Sequence, residues 1–194
     1  MEFTIVNEKL NRNSKKLIFV VDNFYENPDN IRNFALNQDF VADLNYYKGK
    51  RTRSKFFVED TKSQFEKIIG QPIVDWESHG MNGKFQICNS EDALVYHTDH
   101  QYWAGLVYLS PNAPFETGTT FYAHKNKKIR YSEDVTSEVF KGGFYDSTKF
   151  EVVDVIGNVY NRLVIFHSQS IHAASCYFGQ TNEDYRLFHM FFFD

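Results

Sequence analysis

The pattern of apolar and polar positions divides the chain into a helical front and a strand-rich remainder. Leu17 to Val21 (Leu-Ile-Phe-Val-Val) is a short run of apolar, β-branched and aromatic residues, and it predicts a buried strand. Asp22-Asn23 closes that run. Asn27-Pro28-Asp29-Asn30 is a helix start, with Asn27 at the cap, Pro28 at the first helical position and Asp29 in the first turn. Ile31, Phe34 and Ala35 then share one face, which predicts an amphipathic helix over Pro28 to Gln38. Phe65, Ile68 and Ile69 repeat the helical spacing within Thr61 to Ile69, and Gly70 and Pro72 mark its end.

From Lys84 onward the texture changes to strand runs. They are predicted over Lys84 to Asn89, Ala93 to Thr98, Trp103 to Ser110, Thr119 to His124, Lys149 to Ile156, Val159 to His167, His172 to Phe178 and Tyr185 to Phe193. Gly157-Asn158 is a tight-turn signal between two of them, and Pro111-Asn112-Ala113-Pro114 is another break. Val135, Val139 and Phe140 predict a short helix within Ser132 to Phe140. About eight short strands behind two helices predict a mainly β fold with N-terminal helices. The expected architecture is an antiparallel double sheet of the jelly-roll type with helical support.

Composition narrows the class. A length of 194 residues suits one domain with a real core, here expected over 1–194, with 1–83 supporting a sheet core over 84–194. Hydrophobic residues at 42% and aromatics at 18% supply the apolar area for packing and exclude general disorder. A net charge of -4 argues against a dedicated nucleic-acid binder. Two cysteines, Cys88 and Cys176, are too few for a disulfide framework and fit a reducing compartment. Neither a signal pattern nor a run approaching the roughly 18 apolar residues of a membrane span is visible. The chain therefore reads as soluble and cytoplasmic, with no membrane partner.

Val95-Tyr96-His97-Thr98-Asp99-His100 carries the candidate chemistry. On an extended strand His97 and Asp99 point to the same face, so an imidazole and a carboxylate lean toward one point. Two histidines and one carboxylate with other positions left open are the ligand set of non-haem Fe(II) oxygenases. A third ligand must come from elsewhere in the chain. His100 stands at helical rather than strand spacing from His97, and His79 and His124 lie in or beside turn-like stretches. His172, which opens a strand after the polar connector Ser168-Gln169-Ser170, is favoured over His167. By itself His-x-Asp is a weak signal, equally well explained by a buried hydrogen-bonded pair.

Arg186 adds a second feature. By strand alternation it shares a face with Phe188, Met190 and Phe192. A guanidinium there needs an anion, because an unpaired buried charge is costly. Its planar fork suits a carboxylate. The bland reading is an ion pair with Asp or Glu, or a strand edge in water. The stretch from Asn45 to Phe57 mixes five cations with four aromatics. It is either a solvated surface loop or a loop lining a substrate cleft that holds an acidic or extended partner.

Taken in order, His97-Thr98-Asp99, Val107-Tyr108-Leu109-Ser110, Gly118-Thr119-Thr120-Phe121, Asn161-Arg162-Leu163-Val164-Ile165-Phe166, His172-Ala173-Ala174 and Tyr185-Arg186-Leu187 resemble the catalytic core of the Fe(II)/2-oxoglutarate-dependent dioxygenases. The resemblance covers Lys84 to Asp194 and is greatest to the prolyl 4-hydroxylase-like branch. The stretch Asp22 to Pro28 resembles the opening of uncharacterised oxygenase-like proteins from viruses and bacteria. The resemblance implies a double-stranded β-helix (jelly roll, cupin-like) with His97, Asp99 and His172 as Fe(II) ligands. It implies that Arg186 binds the far carboxylate of 2-oxoglutarate, with the Tyr108 hydroxyl helping. It further implies oxidative decarboxylation with dioxygen (O2), and hydroxylation of a protein or peptide side chain or of a small molecule. Two departures stand out. The interval from His172 to Arg186 is longer than is usual in the family, and Gln86-Ile87-Cys88 stands where many relatives carry a tyrosine. A non-catalytic jelly-roll binding or viral structural module, and a jelly-roll metalloenzyme without 2-oxoglutarate, are the competing readings.

Overall fold

The computed structural model describes residues 18–42, 48–131, 139–141, 143–181 and 183–194. Within them the order is β1 (Ile18–Val21), α1 (Pro28–Leu36), β2 (Phe40–Ala42), β3 (Lys50–Thr52), α2 (Thr61–Ile69), β4 (Lys84–Cys88), β5 (Trp103–Tyr108), β6 (Thr119–His124), β7 (Phe150–Ile156), β8 (Leu163–His167), β9 (His172–Ala174) and β10 (Arg186–Phe193). The fold is mainly β with two α-helices. Seven strands form an antiparallel sheet in the order β1-β8-β5-β10-β4-β3-β2, and three form a second antiparallel sheet, β7-β6-β9.

Alternation along the strands of the large sheet feeds two cores. Leu187, Phe191 and Phe193 of β10, Val107 of β5 and Leu163 and Ile165 of β8 face the helical layer, where they meet Phe24 and Phe65. Phe188 and Met190, Tyr108, and Val164 and Phe166 from the same strands face the small sheet, where they meet Phe121. Both faces are covered, so these strands read as continuous apolar runs. Phe65 of α2 is fully buried among Phe24, Trp76, Phe191 and Phe193, with ring centroids 5.0–5.7 Å away. Each such side chain contributes about 1.5–3 kcal/mol on burial. A Cβ on Gly105 of β5 would stand 3.0 Å from the Phe65 ring, so glycine lets α2 settle closely on the sheet.

Both helices form where the sequence places them. α1 stops at Leu36 because the amides of Asn37 and Gln38 bond back to the Phe34 and Ala35 carbonyls. Asn27 stands at the N-cap but makes no side-chain cap bond. Several strand expectations are corrected. Ala93 to Thr98 is not a strand; only His97 pairs, in an isolated bridge to His172. Gly157-Asn158 closes no hairpin, because β7 and β8 belong to different sheets. The Asn158 amide instead bonds the Phe115 carbonyl. The strand from His172 ends at Ala174. The basic segment, expected as a loop, contributes β3, which pairs with both β2 and β4. Leu17, Asn45 to Tyr47 and most of Ser132 to Phe140 lie outside the described residues. Among the described residues, no helix is long and apolar enough to cross a membrane.

Candidate metal centre

Backbone pairing brings the distant histidines together. The His97 amide donates to the His172 carbonyl at 3.1 Å, and the His172 amide donates to the His97 carbonyl at 2.9 Å. The Asp99 amide donates to the Ser168 carbonyl at 3.0 Å. Main-chain bonds thus hold all three candidate ligands without help from an ion.

The side chains converge from these anchors. Among the described residues, the one His/Cys/Asp/Glu trio able to hold a metal is His97, Asp99 and His172, with ligand atoms all within 4.8 Å of one another. His97 Nε2 lies 3.6 Å from Asp99 Oδ1, and His172 Nε2 lies 3.4 Å from Asp99 Oδ2. Donors about 2.1 Å from one ion and a right angle apart would stand about 3 Å from each other, so modest closure suffices.

Both imidazoles have their tautomer fixed in the same way. His97 Nδ1–H donates to the Val95 carbonyl at 2.9 Å, and His172 Nδ1–H donates to the Ser170 carbonyl at 2.8 Å. A carbonyl only accepts, so the proton sits on Nδ1 and each Nε2 lone pair faces Asp99. Burial, and then the nearby His97, pushes the His172 pKa down to about 4, which keeps this ligand neutral. Phe166 packs against the His172 ring at 4.8 Å and Phe121 at 6.3 Å, walling one side of the centre. Two neutral nitrogens and one carboxylate therefore fit a divalent ion and leave positions free for other ligands.

Arg186 begins β10 and is 2% exposed. Its Nε donates to the Thr117 carbonyl at 2.9 Å and its Nη2 to the Gly118 carbonyl at 3.1 Å. Phe188, Tyr108 and Tyr177 rings surround it, with centroids 4.6, 5.4 and 5.7 Å from the guanidinium carbon. Among the described residues, no carboxylate pairs with it. Gly118 is required beside it: a Cβ there would stand 1.8 Å from the Ile156 carbonyl oxygen. The Tyr108 hydroxyl hydrogen-bonds Thr119 Oγ1 at 2.7 Å, and burial raises its pKa. Thr119 pairs with Ala174 while Phe121 pairs with His172. The Arg186–Tyr108 end and the ligand end are therefore about two residues, or roughly 7 Å, apart along the small sheet.

The other histidines lie elsewhere. His100 is exposed. His167 is buried with its ring against Tyr102 at 4.5 Å and is not in the trio. His189 is buried in the helical layer, bonded to Tyr25 and Phe56. Gln86 accepts from Arg51 Nε at 2.6 Å and donates to the Lys48 carbonyl at 3.0 Å. Cys88 is buried, and desolvation pushes its thiol up to about 11. Thr117, Thr119 and Tyr177 around Arg186 escape a residue-by-residue sequence reading, because Thr117 acts through its main-chain carbonyl, Tyr177 through its ring face and Thr119 through a hydroxyl that reaches Arg186 only by way of Tyr108.

A family of unknown function, DUF6445, matches residues 2–183. The chain belongs to that family. No curated protein matches this DUF6445 member. Among solved structures it is similar to HygX from Streptomyces hygroscopicus with nickel and 2-oxoglutarate bound, at 15% identity and a TM-score of 0.56, over 91% of this chain and 82% of HygX. The same values hold for HygX with nickel, 2-oxoglutarate and hygromycin B bound. A prolyl hydroxylase in complex with a hypoxia inducible factor peptide fragment from Trichoplax adhaerens is similar at 13% identity and a TM-score of 0.48, over 91% of this chain and 83% of that one. At 15% identity the likeness is one of fold: this DUF6445 member folds like HygX.

Proposed function

We propose that this DUF6445 member is an Fe(II)- and 2-oxoglutarate-dependent dioxygenase, a hydroxylase of a protein or peptide side chain or of a small molecule. The observation that carries the reading is a joint one. Three ligand atoms gather at His97, Asp99 and His172, and nearby a buried guanidinium has no carboxylate partner among the described residues. We read the two sheets as a double-stranded β-helix over 84–194, cupin-like, with 1–83 as support within one domain. Two free cysteines agree with a cytoplasmic setting.

In this reading His97, Asp99 and His172 hold Fe(II), and Arg186 with the Tyr108 hydroxyl holds the distal carboxylate of 2-oxoglutarate. When bound, iron and 2-oxoglutarate supply oxidative decarboxylation with O2 and the hydroxylation coupled to it. The chain supplies the rest. The Val95 and Ser170 carbonyls aim the two Nε2 lone pairs. The Thr117 and Gly118 carbonyls orient the guanidinium, and Phe121 and Phe166 exclude water from one side of His172. Burial makes each charge-assisted bond to the cosubstrate stronger than it would be in water. The HygX structure holding hygromycin B supports the small-molecule arm, and the prolyl hydroxylase-like sequence resemblance supports the peptide arm.

The test is anaerobic addition of Fe(II) and 2-oxoglutarate. The expected result is a weak visible charge-transfer band that His97→Ala and Asp99→Ala abolish. No band, together with no thermal shift from either ligand, overturns the reading.

A further inference from the structure

Gly157-Asn158, a turn signal in the sequence that closes no hairpin, has another place in the fold. The Asn158 amide donates to the Phe115 carbonyl at 2.9 Å. Arg162, paired with Asp22 at 2.6 Å, donates from Nη1 to the Gly157 carbonyl at 3.3 Å. These bonds seat the Asn158 side chain, 1% exposed, against the single turn Phe115–Thr117 that leads into β6. A Cβ on Gly118 would stand 2.9 Å from the Asn158 amide nitrogen, so the two segments meet there through backbone alone.

The two halves of the Asn158 side chain have different fates. Its Nδ2 donates to Thr117 Oγ1 at 3.2 Å and reaches the Thr117 carbonyl oxygen at 3.5 Å. Thr117 Oγ1 donates its own proton to the Pro114 carbonyl at 2.6 Å, so toward Asn158 it accepts. Asn158 Oδ1 is buried and has no hydrogen-bond partner among the described residues. A buried acceptor left unpaired is costly. An apolar side chain of similar size would fill the space without that cost, so packing does not account for an amide here. What the amide holds is Thr117, whose carbonyl oxygen accepts Arg186 Nε at 2.9 Å. The neighbouring Gly118 carbonyl, which accepts Arg186 Nη2 at 3.1 Å, is held in turn by the Ser175 amide at 3.0 Å. Each carbonyl that orients the guanidinium thus has a second donor: a main-chain amide at Gly118, and the Asn158 side chain at Thr117.

We infer that Asn158 is a positioning residue for the anion anchor. Through Thr117 it sets the plane of the Arg186 guanidinium, and with it the direction of the N–H groups left for a carboxylate. A guanidinium is a rigid planar fork that binds a carboxylate bidentately only when the two are aligned. A tilt of the Thr117 turn therefore lowers affinity without removing any charge. The inference rests on the dioxygenase reading for the identity of the anion, 2-oxoglutarate, but not for the hold on the guanidinium.

The experiment follows the Arg186 Nε–H resonance in the full 15N-labelled chain, assigned by its disappearance in Arg186→Gln. Asn158→Leu and Thr117→Val remove the two ends of the 3.2 Å bond. Each is expected to shift that resonance and speed its exchange with solvent. Each should also weaken 2-oxoglutarate binding in the presence of Ni(II) about fivefold, with Ni(II) affinity unchanged. The double variant should bind no more weakly than either single one, because both act through one contact. Asn158→Leu should melt no lower than the wild type, since the unpaired acceptor is gone. A packing role predicts the reverse, a lower melting temperature with resonance and affinity unchanged. An unaltered Nε–H resonance in both variants, wild-type 2-oxoglutarate affinity in both, or failure of both to fold overturns the proposal. A wild-type chain that binds no 2-oxoglutarate sinks the dioxygenase reading alone, because the Arg186 resonance still decides the role of Asn158.

Discussion

At the scale of single residues, Arg186 sets the sharpest expectation. Its Nε and Nη2 are spent on two carbonyls, which fixes the guanidinium plane without neutralising its charge. Arg186→Gln should therefore weaken 2-oxoglutarate binding about 10–100-fold, the cost of a lost charge-assisted pair, with Ni(II) affinity within about twofold of wild type. Calorimetry with each ligand separates the two effects. The choice between His172 and His167 shows how far residue-level reading reaches. His167 follows Leu163 and Ile165 along β8, and those two face the helical layer. Alternation alone thus turns His167 away from the small sheet. His97 and Asp99 were legible because spacing of two is a local signal. The partners of Arg186 were not, because carbonyls carry no residue identity.

At the scale of elements, β8 and β10 were legible because burial on both faces leaves long apolar runs. β3 was not, because Lys50-Arg51-Thr52 has no apolar alternation and is a strand only through its pairing with β2 and β4. Ala93 to Thr98 has strand composition yet forms a β-bridge at one residue, His97, because its other main-chain bonds go to irregular chain, as with the Tyr96 amide on the Phe144 carbonyl. β10 also ties the sheet to the helical layer through His189. Tyr25 O–H donates to its Nδ1 at 2.8 Å, and its Nε2–H donates to the Phe56 carbonyl at 3.0 Å, the neutral tautomer satisfying both. Burial pushes its pKa down to about 4 from the ordinary 6.5. The unfolded chain then binds the extra proton, so stability is full above pH 6.5 and falls as pH drops toward 4. The loss should reach about 3 kcal/mol. His172 shifts the same way in the metal-free protein. Urea unfolding of metal-free protein between pH 7 and 4 should accordingly show a shallower decline in His189→Gln than in wild type.

At the scale of the whole molecule, the chain from β4 onward passes repeatedly between the two sheets, and the candidate centre lies where they face each other. A ligand bound only by the folded chain adds stability by mass action. Ni(II) at about 100 times its dissociation constant should raise the unfolding free energy by about 2.7 kcal/mol. His97→Ala should abolish that gain, as measured by denaturant titration with and without the metal. The paired amides and carbonyls of His97 and His172 carry one more consequence, in the order of events during folding. These residues are far apart in sequence, and the contact between them waits on closure of a long loop containing four strands. A metal arriving early would find no site to nucleate. The chain should instead complete its sheets as an apoprotein and accept its ion last, so that metal can be stripped and exchanged while the polypeptide stays folded.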